Sequence, residues 1–486
     1  MKHTSASLFL TAAILCTACL TACGDHANTA ASVTNADTEP VTEITTESHL
    51  KASIPDELDF GGETLNILYC PIISTYNINQ TEDSGDNVES SIYQANQAVM
   101  EQLNCTFSFI EGGTGENTLM KNSILADDNA FDTAYAVQWL TISMILDQML
   151  YNLEEAPYLD LEKPWWNAGY NEEAAAPNGQ KYILAGDLNL NTLRKASVLV
   201  MNTDLMTDKD LNSDDVIKQI LDGNWTWDSF SSMTRDVYSD VNGDSQRDAG
   251  DTYGIACTTR SIIDHIVINS GIRMTERNAE HIPEIIFNNE KTLTVVENIT
   301  ELFHNNAGMF YMEGCSFPDF LAENRVLFLP ILLSSLESYR DIETNYAVIP
   351  MPKLDETIDH YSALVHDDTT IVCVPNNCRK TDLTFAALEL LAYEGYYRVM
   401  PEYYNISMKQ KYLRGSDDTA VQLIDLIHDS ITTDFGYVYN YEMGSVIVGL
   451  RDCALQNSFN FSSFYASVEK KMNKQYTKLL EAMEKD

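Results

Sequence analysis

Residues 63–137 switch back and forth between two hydrophobic periods, and that alternation restricts the fold more than any other feature of the chain. ETLNILYC (63–70) is an apolar run of strand length. After the polar loop TEDSGD, Val88, Ile92, Ala95, Val99 and Leu103 recur at helical steps and line one face. A strand over 106–110, a helix near 118–125 and a strand over 132–137 complete the series. Strand, helix, strand, helix, strand in so short a span requires crossover connections, and hence a parallel sheet with helices on its faces. In open sheets of this type ligands gather beyond the carboxyl ends of the strands, which puts Tyr69, Gln138 and Trp139 on the functional rim.

The α/β pattern continues. SVLVMN (197–202) and YGIAC (253–257) read as strands, with helices over 213–221 and 226–237. Helices over 292–305 and 317–322 precede strands over 326–329 and 346–349. TTIVCVP (369–375) is a buried strand leading into a helix over 381–393. The tail carries helices over 419–431 and 464–483, the last with Val468, Met472, Tyr476, Leu479 and Met483 on one face. A chain of 486 residues, 44% of them hydrophobic, can build two or three domain-sized cores. There is no internal repeat.

The amino terminus reads as an export signal. Lys2 and His3 precede an apolar stretch over 8–22, and no acid appears before Asp25. That stretch is too short, and too rich in Thr and Cys, for a spanning helix. It ends in Leu20-Thr21-Ala22-Cys23, which resembles the bacterial lipobox, so residues 1–22 are expected to be removed and Cys23 to carry a diacylglyceryl group. Acyl chains at one site hold a protein on a membrane face. Residues 23–53 form the lipidated Cys and a tether of Thr, Ser, Ala and Glu without any aromatic, which cannot bury enough surface to fold. Such a tether reaches roughly 30 Å on average.

Charge excludes other partners. Lys plus Arg number 30 against 72 Asp plus Glu, a formal net charge of −42. Nucleic acid and anionic lipid both demand clustered cations, so neither is a partner, and the membrane link rests on the lipid alone. Once Cys23 is acylated, Cys70, Cys105, Cys257, Cys315, Cys373, Cys378 and Cys453 remain. Their number is odd and their surroundings apolar, which favours buried thiols over a disulfide framework. Cys373 and Cys378 are close enough in sequence to cross-link. Among these seven no Cys-x-x-Cys occurs, and no His-rich cluster suggests zinc.

One loop has the oxygen spacing of a calcium site. Asp240, Asn242, Asp244, Asp248 and Asp251 occupy positions 1, 3, 5, 9 and 12, with the Gln246 carbonyl at 7, and a structural Ca²⁺ is expected there. Ser245 stands where such loops carry a turn Gly, and Asp251 where they carry a longer bidentate Glu.

The order of features over the mature chain resembles the extracellular solute-binding lipoproteins of bacterial ABC importers, in the oligosaccharide-binding group that includes maltodextrin-binding proteins. The segments that carry it are the lipobox and tether, the opening strand ETLNILYC, and IYQANQAVMEQLNCTFSF. With them go GQKYILAGDLN followed by VLVMNTDLM, NWTWDSFSSM, LAENRVLFLP followed by NYAVIPMPKLDE, and TTIVCVPNNCRKTDLTFAALELLAYEGYYRVM. The resemblance implies a two-lobe, type II periplasmic-binding-protein-like α/β fold with discontinuous lobes. These would be 55–183 with 370–408, and 186–366 with 410–486. Hinge crossings would fall near Ala185 and Gly186, His366 to Thr369, and Ile406 to Met408. It also implies a small-molecule ligand, most readily an oligosaccharide, permease subunits as partners, and residence on the outer face of the cell membrane.

Sugars present apolar faces and hydroxyl edges, which stacked aromatic rings and flanking carboxylates, amides and Arg can hold. Trp139 is the first such ring. By resemblance, Asp187 and Asn189 after the first crossing, Arg260 and Asp264 past the strand YGIAC, and Asp367 at the second crossing would supply polar contacts. His366 and Asp368 flank the last of these. Tyr437, Tyr439 and Tyr441 alternate where the family puts a stacking ring, and Tyr439 and Tyr441 are the expected contacts. Trp165 and Trp166 read as packing residues, and Trp225 and Trp227 as core around a capping Thr226. The segment 328–332 lacks the Gly and stacking Trp of several family members, which speaks against a maltodextrin-like ligand.

Two other classes compete with import: a glycan receptor uncoupled from transport, and a glycan hydrolase. Glycoside hydrolysis needs two carboxylates about 5–10 Å apart across the bond, and any of 72 acids could form such a pair. There is, however, no Gly-x-Ser-x-Gly elbow and no His-Glu-x-x-His motif. The reading adopted is a non-catalytic binding protein.

Overall fold

The computed structural model describes residues 50–71, 76–257, 261–311, 317–339, 341–409 and 417–484. Cys23, the signal, the tether up to residue 49, Arg260 and Cys315 lie outside these residues. All of the elements below belong to the unit Lys51–Asp486.

The alternating amino-terminal segment forms the sheet its pattern predicts. Glu63–Tyr69 lies between Cys105–Glu111 and Thr133–Val137, parallel to both. The crossover helix Asn87–Leu103 starts where the Asp86 carboxylate accepts the Val88 and Glu89 N–H groups, and stops at Asn104 in the left-handed region. Its predicted apolar face is buried against the sheet. The fourth strand, Thr370–Cys373, arrives from far along the chain and runs antiparallel to Thr133–Val137.

A second sheet has the order Tyr346–Ile349, Ser197–Asn202, Val326–Leu332, Tyr253–Cys257 and Met309–Tyr311. Its first two pairings are antiparallel and its last two parallel. Val326–Leu332 outruns the predicted 326–329 and includes Pro330. The parallel ladder with Tyr253–Cys257 involves Val326 and Phe328 only, so Pro330, which has no N–H to donate, sits where one neighbour suffices.

Several helices escaped the sequence pattern, two of them apolar ones beside the sheets. Ile262–Asn269 is buried along its whole length and so shows no one-sided period, and the exposed face of the nine-residue Gln138–Leu146 carries an apolar Trp139 rather than a polar stripe. The segment 406–408, expected to cross between lobes, lies within the helix Met400–Lys409. Thr226 precedes the helix Trp227–Arg235 but makes no side-chain cap bond, whereas Trp225 and Trp227 are core as expected. The Cys373 thiol packs 4.0 Å from Met120 and Cys378 meets Thr384, so the two cysteines are unpaired.

The two sheets are joined by chain running in both directions. Leu184 bridges to Val372 of the first sheet, and Ala196, one residue before the second sheet begins, bridges to Val365. Residues 185–196 and 365–370 thus lie side by side, tied by the His366 N–H on the Lys195 carbonyl and by Asn191 Nδ2 donating to Thr370 Oγ1 at 2.6 Å. The first of these strips is tightly seated. A Cβ on Gly186 would meet the Trp165 carbonyl at 2.7 Å, and one on Gly395 would meet the Asp187 carbonyl at 1.9 Å.

One buried acid secures the approach to that strip. Glu389, fully buried in the helix Thr381–Glu394, accepts the indole N–H of Trp165 at 3.2 Å and of Trp166 at 2.8 Å, and the Asp160 backbone N–H. Burial raises its pKa, and the indole and backbone donors pull it part of the way back. Both tryptophans are therefore packing residues, as the sequence suggested. Glu389→Ala strands these donors in the core and should cost roughly 3 kcal/mol in urea denaturation; a loss below about 1 kcal/mol would show that the carboxylate is dispensable.

Candidate ligand-binding cleft

The carboxyl end of the Thr133–Val137 strand meets the second crossing. There the chain turns into the helix Gln138–Leu146, whose first amides need acceptors outside the helix. The crossing provides them: the Gln138 N–H bonds the Thr369 carbonyl at 3.0 Å and the Trp139 N–H the Asp367 carbonyl at 3.3 Å. Gln138 turns inward to the Tyr170 hydroxyl and is fully buried. Trp139, the next residue, points outward and is 45% exposed. Its ring lies 6.3 Å from that of Tyr441, itself half exposed, in a tilted pair. Of the large aromatic side chains, these two form an open platform beside the crossing.

Charged groups crowd under that platform. Asp264, at the start of the buried helix Ile262–Asn269, is 1% exposed and is gripped by Arg451, with Nε at 3.1 Å and Nη2 at 2.5 Å from Oδ2. Burial pushes the Asp264 carboxyl up to about 6, against the lowering influence of Arg451. Burial, followed by the Asp367 charge, raises the pKa of the Tyr441 hydroxyl. His366 has its Nδ1 at 3.1 Å from Asp367 and 2.8 Å from Asp368. Although burial opposes its charge, those two carboxylates carry the imidazole up to about 9, so it is a cation at neutral pH. Asp368 also takes Lys195 at 2.9 Å, across the two crossings. His265 stacks on His366 at 5.3 Å, and burial keeps its pKa low, leaving it neutral.

Four residues singled out in the sequence therefore meet in one place: Trp139, Asp264, Asp367 and Tyr441. Arg451 joins them without having been anticipated; it is 187 positions from its partner Asp264, and no local pattern marks it. The remaining expectations go elsewhere. Tyr439 is fully buried, packs at a tilt against Phe435 and donates its hydroxyl to the Ala174 carbonyl. The alternation of tyrosines there is not that of a strand: Phe435–Val438 is a short helix, so Tyr437 and Tyr439 turn inward and Tyr441 outward. Asn189 is buried within the first crossing and accepts the Asn191 N–H. Asp187 is buried beside His428, at 3.7 Å.

The 240–251 loop is exposed for most of its length, and its side chains serve its own backbone. Asp240 accepts the Gly243 and Ser245 N–H groups, Asn242 that of Asp244, Asp244 that of Gln246, and Asp248 that of Gly250. Asp251 is buried and takes the Tyr238 hydroxyl at 3.2 Å. Among the described residues no three His, Cys, Asp or Glu side chains are gathered as a metal-holding group.

No protein-family model and no curated protein matches the chain. Solved structures do. UgpB from Mycobacterium tuberculosis, in complex with glycerophosphocholine, is similar at a TM-score of 0.53 and 11% identity, over 86% of this chain and 99% of its own. An ABC transporter solute-binding protein from Thermotoga lettingae bound with alpha-D-tagatose follows at 0.52 and 13%, over 85% and 100%. An ABC substrate-binding protein from Listeria monocytogenes in complex with cycloalternan stands at 0.50 and 10%, over 87% and 99%. At such identities the likeness is one of fold: the two-lobe, type II periplasmic-binding-protein-like α/β architecture, as the sequence predicted.

The buried acid of the cleft has a pH signature. The folded pKa of Asp264, about 6, lies above that of an unfolded Asp, near 4. The native state therefore holds this proton more tightly, and the associated stability is complete below about pH 4 and lost as pH rises through 6. Melting temperatures of the protein and of Asp264→Asn, compared between pH 4 and 7, should show the variant lacking that part of the decline. Parallel curves would refute the assignment.

Proposed function

We propose that the chain is the solute-binding component of an ABC importer, takes a carbohydrate into the cleft at Trp139, and performs no catalysis. The observation that carries the reading is the exposed Trp139 and Tyr441 pair above Asp264, Arg451 and Asp367, at the carboxyl end of a sheet strand and against a chain crossing. Aromatic faces for C–H surfaces, with carboxylates and a guanidinium for hydroxyls, are the chemistry a sugar needs. Support comes also from the fold neighbours, whose structures hold tagatose, glycerophosphocholine and cycloalternan, all rich in hydroxyl or ester oxygens. On this reading the lobes are 55–183 with 370–408 and 186–366 with 410–486. The crossings at 185–196 and 365–370 act as hinge, and closure over the ligand is what permease subunits sense. Oligosaccharide rather than monosaccharide is the preferred ligand, because the platform is open to the side.

Calorimetry of the protein lacking its signal and tether, against a panel of mono- and oligosaccharides, tests the proposal. An oligosaccharide should bind, and Trp139→Ala should weaken it about tenfold or more, a loss of about 1.4 kcal/mol, at an unchanged melting temperature. Binding of no sugar, or equal binding by the variant, would falsify the reading.

Anchoring on the outer face of the membrane through Cys23 is the second part of the proposal and rests on the lipobox. Among the described residues no helix is long and apolar enough to cross a membrane. Cells fed an alkynyl fatty acid should label the protein and retain it in the membrane fraction. Cys23→Ser should abolish the label and release the protein; label that persists in the variant would refute Cys23 as acceptor.

A further inference from the structure

A second cavity, of about 250 Å³, opens between the 164–169 connection, the first crossing and the end of the helix Asp417–Asp429. It shares no lining residue with the Trp139 platform, and its volume far exceeds the roughly 10–15 Å³ that admits one water. Two polar side chains of the crossing line it with unspent hydrogen-bonding capacity. Asp187 is 7% exposed, and its Oδ2 has no hydrogen-bond partner among the described residues; Thr192 is 3% exposed, and its Oγ1 has none either. Left in this condition, a buried carboxylate oxygen is costly.

The charge around the cavity is one-sided. His428 has Nε2 at 3.7 Å from Asp187 and Nδ1 at 3.5 Å from the exposed Asp429, and among the described lining residues there is no Lys or Arg. Two carboxyl groups, Asp187 and Asp429, face one imidazole, so acids outnumber bases in the lining. Trp166 is among the lining residues, its indole N–H committed to Glu389, and contributes aromatic surface to the wall.

We propose that this cavity is a second ligand site and that it takes a small protonated amine. The ammonium donates to Asp187 Oδ2 and to Thr192 Oγ1 and lies against Trp166, supplying the donors that the crossing lacks. A neutral polyol offers hydroxyl donors but no charge to offset the two carboxylates, and an anion is repelled by them. The site is independent of the carbohydrate reading, since none of its residues belongs to the cleft.

Calorimetry with putrescine, ethanolamine and methylammonium, against butane-1,4-diol and ethylene glycol as uncharged counterparts, tests the idea. At least one amine should bind at millimolar concentration or better while the diols do not. Asp187→Asn should weaken the amine about tenfold or more, and Thr192→Val severalfold. His428→Gln removes the internal counter-cation and should retain or tighten binding, an outcome that a merely structural role for the cluster would not produce. If Asp187→Asn fails to fold, the Thr192 and His428 variants decide the question. Absence of amine binding, diols that bind as well as amines, or unchanged affinity in both Asp187→Asn and Thr192→Val would overturn the proposal. So would amine binding that is lost in Trp139→Ala and kept in Asp187→Asn, which would assign the amine to the cleft.

Discussion

The bridges from Leu184 to Val372 and from Ala196 to Val365 set two crossing segments side by side, and the rest of the architecture hangs on that pairing. Thr370–Cys373 can complete the first sheet only because the second crossing delivers it there. The amides that open the helix Gln138–Leu146 find their acceptors on the same crossing, which fixes where Trp139 emerges. Ser197–Asn202 enters the second sheet directly after the first crossing. A few backbone hydrogen bonds thereby set the register of both sheets and the position of the aromatic platform at once.

Charge at this junction is arranged at some cost. Burying Asp264 with Arg451, and His366 with its two aspartates, requires stripping water from ions, which ion pairing only partly offsets. Such groups are held in place by one another before any solute arrives, so little reordering remains for binding. Glu389 belongs to a different category. It is spent on two indoles and two backbone amides, and it stiffens the segment entering the crossing without reaching the platform.

Most of the sheet-forming segments could be read from the chain because strands with β-branched, apolar runs and one-sided helices announce themselves. Ser197–Asn202 and Tyr346–Ile349 fall where they were expected, and the face of Asn87–Leu103 is the predicted one. The helix Ile262–Asn269 was illegible for the opposite reason, being buried along its whole length with no polar stripe to set a period, and Gln138–Leu146 was illegible because its exposed face carries an apolar Trp139. The cleft was half legible. Trp139 follows from topology alone, since it stands past the end of a parallel strand. Arg451 and Asp264 pair over a distance in sequence that no spacing rule spans. Tyr439 and Tyr441 differ in exposure because a short helix, invisible in an aromatic repeat, turns one inward and the other out.

The disposition of the five tryptophans has an optical consequence. Trp165, Trp166, Trp225 and Trp227 are each at most 4% exposed, with Trp165 and Trp166 bonded to a carboxylate and Trp225 to a carbonyl, whereas Trp139 alone stands in water. Four emitters are thus a constant background that a solute in the cleft does not touch. A shift in the red edge of the intrinsic emission then reports on one indole at one address, and the protein carries its own single-site fluorescent reporter without any label.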